Sequence, residues 1–184
     1  GSNPDYSHTI IPNHPVHYGG SYNIPTSKYD EFLDRYHKEV FEKKVETYLT
    51  EKHLDFSPVL IDLDFRFNAD TKTRQYNEQF IIDYMTIFMK EITSILDIKG
   101  HIEIFVLEKT KPKFDKEKNL VKDGIHIMIP SILTIPMIQY IVRYRMIKNE
   151  ALIQSFKDMN ITNSIDDIID ICVIEKNNWQ MYGS

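Results

Sequence analysis

From Val59 to Phe67 the chain reads Val-Leu-Ile-Asp-Leu-Asp-Phe-Arg-Phe, and this alternation leaves little choice of local structure. Successive side chains of a β-strand point to opposite faces. Asp62, Asp64 and Arg66 therefore share one face, and Ile61, Leu63 and Phe65 share the other. Apolar residues flank the carboxylates closely, which puts them at the edge of a core. Two carboxylates held this close repel each other and lose hydration unless a cation or proton compensates. A divalent metal is the natural cation, and metal with paired aspartates is the usual equipment of phosphoryl transfer. The plainer alternative is an edge strand whose aspartates simply face water.

A second string, Asp123-Gly-Ile-His-Ile-Met-Ile129, changes that weighing. Gly124, His126 and Met128 fall on one strand face, Ile125, Ile127 and Ile129 on the other. Glycine two residues before the histidine leaves room for a ligand to approach the backbone. A strand histidine alone is usually structural; beside a carboxylate pair it becomes a phosphate contact. A metal would want a third acid, for which Asp166, Asp167 and Asp170 are candidates. Asp170 lies in the apolar run Ile168-Ile-Asp-Ile171. Three aspartates from separate segments would meet the needs of two-metal phosphoryl transfer.

The 184 residues are enough for one domain with a real core, and 42% apolar with 27% charged content is globular composition. A net charge of −5 argues against nucleic-acid binding by blanket positive charge, though not against a local basic groove. The single cysteine, Cys172, excludes an intrachain disulfide framework and fits a reducing compartment. No apolar run approaches the ~18 residues of a membrane span, so no membrane partner is expected. Gly1-Ser2 reads as a cloning scar and the ending at Ser184 as an excised domain. Residues 3–27, rich in Pro, Asn, Ser, His and Tyr, read as an N-terminal arm, and residues 28–184 as the domain proper. His8, His14 and His17 in the arm match no zinc spacing.

Helical spacing predicts a helix from Lys28 to about Thr50, with Tyr29, Phe32, Leu33, Tyr36, Val40 and Phe41 on one side. Asn77–Leu96 is the clearest helix. Strands are predicted over 59–67, 102–108 and 124–130. The segment Lys109–Lys122, with six lysines, reads as a solvated hairpin loop or a mobile flap over phosphate or nucleic acid. Pro136 suits the first turn of a helix to about Asn149, resumed through Asp158. Its Met137, Tyr140, Ile141 and Tyr144 form an apolar face; Arg143, Arg145 and Lys148 form a basic edge that could track nucleic acid. A short helix entering a strand is expected over Ile165–Ile174. The order of elements predicts an α+β fold of split βαβ style with helices packed on one side of the sheet.

The ordered set of hydrophobic-Asp-hydrophobic-Asp, small-x-His and a late Asp resembles the archaeo-eukaryotic primase superfamily. Leu60-Ile-Asp-Leu-Asp-Phe-Arg-Phe67, Lys122-Asp-Gly-Ile-His-Ile127 and the ending Lys176-Asn-Asn-Trp-Gln-Met-Tyr-Gly-Ser184 resemble the primase part of the poxvirus-type primase-helicases of large DNA viruses. Gly19-Gly-Ser-Tyr-Asn-Ile24 resembles that family's opening. The resemblance implies an RRM-like catalytic core in which Asp62, Asp64 and Asp170 hold Mg2+ or Mn2+. It implies that His126 binds the incoming nucleotide's phosphates, with Gly124 giving clearance. Arg66 would neutralise the carboxylates or touch phosphate, and Lys176 is a further phosphate candidate. The implied activity is template-dependent nucleotidyl transfer that makes short primers. The implied partners are a single-stranded DNA template, nucleoside triphosphates and a helicase region of the same polypeptide. The setting would be the viral replication compartment inside the host cell. No GxxxxGK[ST] string occurs, so the helicase ATPase is not in this chain. The family's Lys-Pro segment after Tyr-Gly-Ser is also not in it.

Three other readings use parts of the same pattern. A primase-polymerase would extend with deoxynucleotides through the same site. A non-catalytic single-stranded DNA-binding module would want exposed sheet aromatics and an RNP-type string, and neither is found. A metal nuclease would need the carboxylates without a triphosphate pocket.

Overall fold

The two motif strands pair with each other, and their register organises everything near the site. The computed structural model describes residues 5–12 and 18–184. In chain order these form β1 (His8–Ile10), β2 (Gly20–Tyr22), α1 (Tyr29–His37), β3 (Leu49–Glu51), β4 (Ser57–Asn68), α2 (Glu78–Thr93) and β5 (Phe105–Glu108). There follow β6 (Lys113–Asp115), β7 (Leu120–Thr134), α3 (Pro136–Met146), α4 (Glu150–Asp158), α5 (Ile165–Ile168), α6 (Cys172–Glu175) and β8 (Trp179–Gln180). The architecture is mixed α+β with antiparallel sheets. No helix among the described residues is long and apolar enough to cross a membrane. The chain divides into two compact units, Gly1–Leu54 with Glu175–Ser184, and Asp55–Ile174.

The first unit is a four-stranded sheet in the order β2-β1-β3-β8, all neighbours antiparallel. Two of its strands come from the segment read as an arm. Their three-residue length carries no alternation signal, and only long-range pairing makes them strands. The helix expected over 28–50 stops far sooner: α1 ends at His37, a π-helical turn covers Lys38–Glu42, and Leu49 already belongs to β3. Positive φ at Lys44 and Tyr48 marks the chain reversal. Pairing of β3 with both β1 and β8 outweighs the helical propensity of the intervening residues. Tyr36, Val40 and Leu49 form a small core here. His8 is fully buried with its ring 4.8 Å from that of Phe32; His14 and His17 lie outside the described residues.

The second unit is built on a sheet in the order β4-β7-β5, with β6 pairing the start of β7. Both pairings of β7 are antiparallel, so β4 and β5 run parallel on either side of it, joined by α2. The apolar face of β4 (Ile61, Leu63, Phe65, Phe67) and that of β7 (Ile125, Ile127, Ile129) are buried against Phe80, Tyr84, Phe88 and Ile92 of α2. Val142 and Met146 of α3 and Leu152 and Phe156 of α4 complete the core. Each such side chain contributes roughly 1.5–3 kcal/mol. A one-residue slip of β4 would turn its whole apolar set to the other face, so register is strongly specified. The ladder shifts only between Pro58 and Val59, where Pro58 lacks a donor and β7 runs ahead by several residues.

Asn77 caps α2 by accepting from Phe80 N at 3.0 Å, as its position before the apolar stripe suggests. Helix α3 turns differently from the expected face. Gln139, Val142 and Met146 point inward, whereas Met137 and Tyr144 are more than half exposed. Met and Tyr pattern poorly because each is tolerated on either side of a helix, and packing against α2 decides. The lysine-rich segment is a hairpin: Lys113–Asp115 pairs with Leu120–Lys122, closed by a positive-φ Asn119 and a 2.8 Å ion pair of Lys122 with Asp115.

A buried polar clamp ties the hairpin base to the sheet. Asp123 is fully buried, and Arg74 grips it with Nε and Nη2 at 3.0 and 3.2 Å while Nη1 donates to Glu108 at 2.9 Å. Removing one member of a buried pair strands the other. Asp123→Ala should therefore lose about 2–4 kcal/mol of stability, measured as a lower urea midpoint with unchanged slope; an unchanged midpoint would show that the clamp is dispensable.

Candidate metal and nucleotide site

The register places Asp62 directly opposite His126 and Asp64 directly opposite Gly124. His126 Nε2 lies 3.3 Å from Asp62 Oδ1. That oxygen is buried and has no well-directed hydrogen bond among the described residues. A buried carboxylate oxygen in this condition is costly and is normally met by a proton or cation. The Asp62 side chain is 15% exposed and that of Asp64 45%, so one end of the pair is inside and the other opens to solvent. A Cβ on Gly124 would come within 2.8 Å of Leu63 O and 3.5 Å of Asp64 Oδ1. Only glycine lets the two strands and the carboxylate pack this closely.

Asp170 joins them through the backbone. Ile169 forms an isolated antiparallel bridge with Leu63, and the Asp170 N–H donates to Asp62 O at 3.0 Å. Its Oδ1 accepts from Cys172 N at 2.8 Å, which fixes the side chain. The segment before it is held by a Ser164 cap on α5 and by Arg143, whose Nε donates to Ile169 O and whose Nη2 donates to Asp166 O, each at 2.7 Å. Asn163 spans the other side of the strand, accepting from Arg66 N and donating to Asp64 O, both at 2.9 Å.

Electrostatics follow from this crowding. Burial, and then the neighbouring Asp62, push the Asp64 carboxyl pKa above its ordinary value, with Lys109 opposing and Asp170 adding. Asp62 raises the His126 imidazole pKa against the opposing effect of burial. The donor set is all hard oxygen, which suits Mg2+ or Mn2+. The buried, unsatisfied Asp62 oxygen fits a cation held there. Among the described residues no three ligating side chains converge into a closed cage. The carboxylates share one region of the sheet but stand apart from a common centre.

Of the residues singled out from sequence, the fold brings together Asp62, Asp64, Asp170, His126 and Gly124. Arg66 lies on the same strand face, and its guanidinium makes no hydrogen bond or ion pair with the described residues. Lys176 is an exposed residue of the first unit. On α3, Arg143 is 10% exposed and engaged with the 166–169 backbone. Arg145 donates to Ser94 Oγ at 2.8 Å and pairs with Glu91 at 3.4 Å. Lys148 donates to the Tyr144 hydroxyl and lies 4.0 Å from that ring's centroid. Sequence reasoning missed Lys109, Arg74 and Asp123. Asp123 stood next to the Gly-x-His pattern, but nothing local marked its partner 49 residues away.

Residues 12–184 match a family model described as "C962R protein N-terminal AEP domain", AEP denoting archaeo-eukaryotic primase. The chain is also 30% identical over 185 residues to L207/L206 of Acanthamoeba polyphaga mimivirus, a protein named provisionally as a helicase. That alignment covers 100% of this chain and 18% of the relative, so the chain spans under a fifth of the relative's length.

The raised Asp64 pKa has a sign that can be checked. The native state binds the Asp64 proton more tightly than the unfolded chain, so this group costs stability as pH rises from the ordinary carboxylate range through its raised value. Without metal, Asp64→Asn should match wild type near pH 4 and exceed it at neutral pH by up to about 1 kcal/mol, discounted for partial exposure. Equal stability of the two proteins across that range, by thermal unfolding in chelator, would remove the electrostatic argument.

Proposed function

The chain belongs to the archaeo-eukaryotic primase domain family of viral primase-helicases, and from that premise we propose that it is a metal-dependent nucleotidyltransferase making short primers on single-stranded DNA. The observation that carries the reading is the pairing of largely buried Asp62 with His126 across β4 and β7, 3.3 Å apart, with Asp64 and Asp170 beside it. Asp62, Asp64 and Asp170 would hold Mg2+ or Mn2+. When bound, the metal neutralises charge on the reacting phosphates and acidifies the attacking hydroxyl.

The chain's own residues do the rest. His126, as an imidazolium favoured by Asp62, donates to phosphate oxygens of the incoming triphosphate. Arg66, on the same face, adds a second donor for phosphate. Gly124 leaves the clearance that lets the substrate approach the sheet. The primer 3′-hydroxyl would attack the α-phosphorus and lose its proton to solvent as the new P–O bond forms; the bond from the α-phosphorus to the bridging oxygen breaks, and pyrophosphate leaves with that electron pair.

An RRM-like core is the fold reading that goes with this site. It is supported by parallel β4 and β5 joined through α2 with β7 between them, and by the Leu63–Ile169 bridge on the outer side of β4. The primase domain is proposed to include β1 and β2, which the first unit's sheet incorporates, together with residues 28–184. A helicase region elsewhere in the same polypeptide and a replication compartment in the infected cell complete the proposal. For the template, the exposed edge of α3 with Arg145 and Lys148 is the proposed contact, because Arg143 is already committed to the backbone of 166–169.

Asp62→Ala and Asp64→Ala should each fold yet lose at least about 100-fold in metal-dependent primer synthesis, since removing even outer partners of a metal site costs 10–100-fold. Labelled product on an unprimed template reads this out, and undiminished synthesis by either protein would sink the assignment. Reversing both Arg145 and Lys148 to Glu should weaken single-stranded DNA binding and flatten its dependence on salt; an unaltered salt slope would move the template elsewhere.

A further inference from the structure

The carboxylate face of β4 already has a cation. Just past the end of β5, Lys109 extends its ammonium to 3.8 Å from Asp64 Oδ1. The ammonium lies over Gly124, where a Cβ would stand in van der Waals contact with it, 3.4 Å from Nζ. The backbone of Lys109 is fixed. Its carbonyl accepts from Arg74 Nη2, the same guanidinium that grips buried Asp123 and reaches Glu108. A planar fork with its donors committed this way holds a backbone in one place. The side chain, in contrast, is 43% exposed, and its four-carbon stem allows the ammonium to turn.

We infer that Lys109 is a substrate-contacting residue with two successive counter-ions: Asp64 in the free protein, and the phosphate oxygens of the nucleoside triphosphate once a divalent cation occupies Asp64. The inference rests on the metal-site reading above. A divalent cation held at Asp64 would repel the monovalent ammonium and, with twice its charge, would compete more strongly for the carboxylate. The displaced ammonium remains tethered at the base of its stem, within reach of whatever lies over Gly124 and beside His126. A triphosphate there supplies the anionic oxygens that replace Asp64.

The test compares wild type with Lys109→Gln, Lys109→Arg and Asp64→Asn. Mn2+ binding is followed by electron paramagnetic resonance, and binding of a non-hydrolysable triphosphate analogue is measured with Mn2+ present. The Arg74 clamp uses the Lys109 carbonyl, so Lys109→Gln keeps it, and unfolding curves verify the fold. Lys109→Gln should bind Mn2+ about three- to tenfold tighter, the size of one screened charge contact. It should bind the triphosphate at least about tenfold more weakly, with single-stranded DNA affinity unchanged. Lys109→Arg should stay near wild type in both. Mn2+ affinity that is unchanged or weaker in Lys109→Gln overturns the inference, as does a loss of DNA affinity in place of triphosphate affinity. If wild type shows no Mn2+ site that Asp64→Asn abolishes, the metal-site reading fails and this inference with it. If Asp64→Asn abolishes binding but Lys109→Gln behaves as wild type, the metal site stands and Lys109 alone is misassigned.

Discussion

Everything near the site depends on the antiparallel pairing of β4 with β7 in a single register. Seven fully or nearly fully buried apolar side chains, Ile61, Leu63, Phe65 and Phe67 on one strand and Ile125, Ile127 and Ile129 on the other, fix which face looks inward. Because side chains alternate, the same choice fixes the outward face, and Asp62 meets His126 while Asp64 meets Gly124. The core thus positions the polar face without any polar residue having to direct it. The third acid is attached to the same frame by backbone, through the Leu63–Ile169 bridge and the Asp170 N–H to Asp62 O bond.

That frame stores electrostatic cost. Asp62 has a buried oxygen with no well-directed hydrogen bond among the described residues, and Asp64 is pushed toward its neutral form by burial and by Asp62. The apolar face, at roughly 1.5–3 kcal/mol per side chain, tolerates this easily. The Lys109 ammonium, 3.8 Å from Asp64, partly offsets it, and His126 lies 3.3 Å from Asp62 with its pKa raised by that carboxylate.

Much of this was legible from residues alone, and the reasons are physical. Strand β4 and helix α2 carry long, unambiguous periodicities, and Asn77 supplies a cap. The DxD, the Gly-x-His and Asp170 could be named because each sits in an apolar run that leaves its carboxylate or imidazole conspicuous. The first unit was not legible: three-residue strands contain no period, and β3 exists only because β1 and β8 flank it. The inward face of α3 was misjudged because Met137 and Tyr144 are as comfortable in water as in a core. Lys109 was lost among the lysines of its hairpin, and the Arg74–Asp123 clamp that holds it is a contact across 49 positions.

The central claim is that Asp62, Asp64 and Asp170 share a divalent ion with a nucleotide whose phosphates reach His126. Anomalous diffraction from crystals grown with Mn2+ and a non-hydrolysable triphosphate tests it most directly. A manganese peak bounded by the three carboxylates, with phosphate density at the His126 imidazole, is the expected result. A peak elsewhere, or ordered phosphates with no metal at these aspartates, would contradict it.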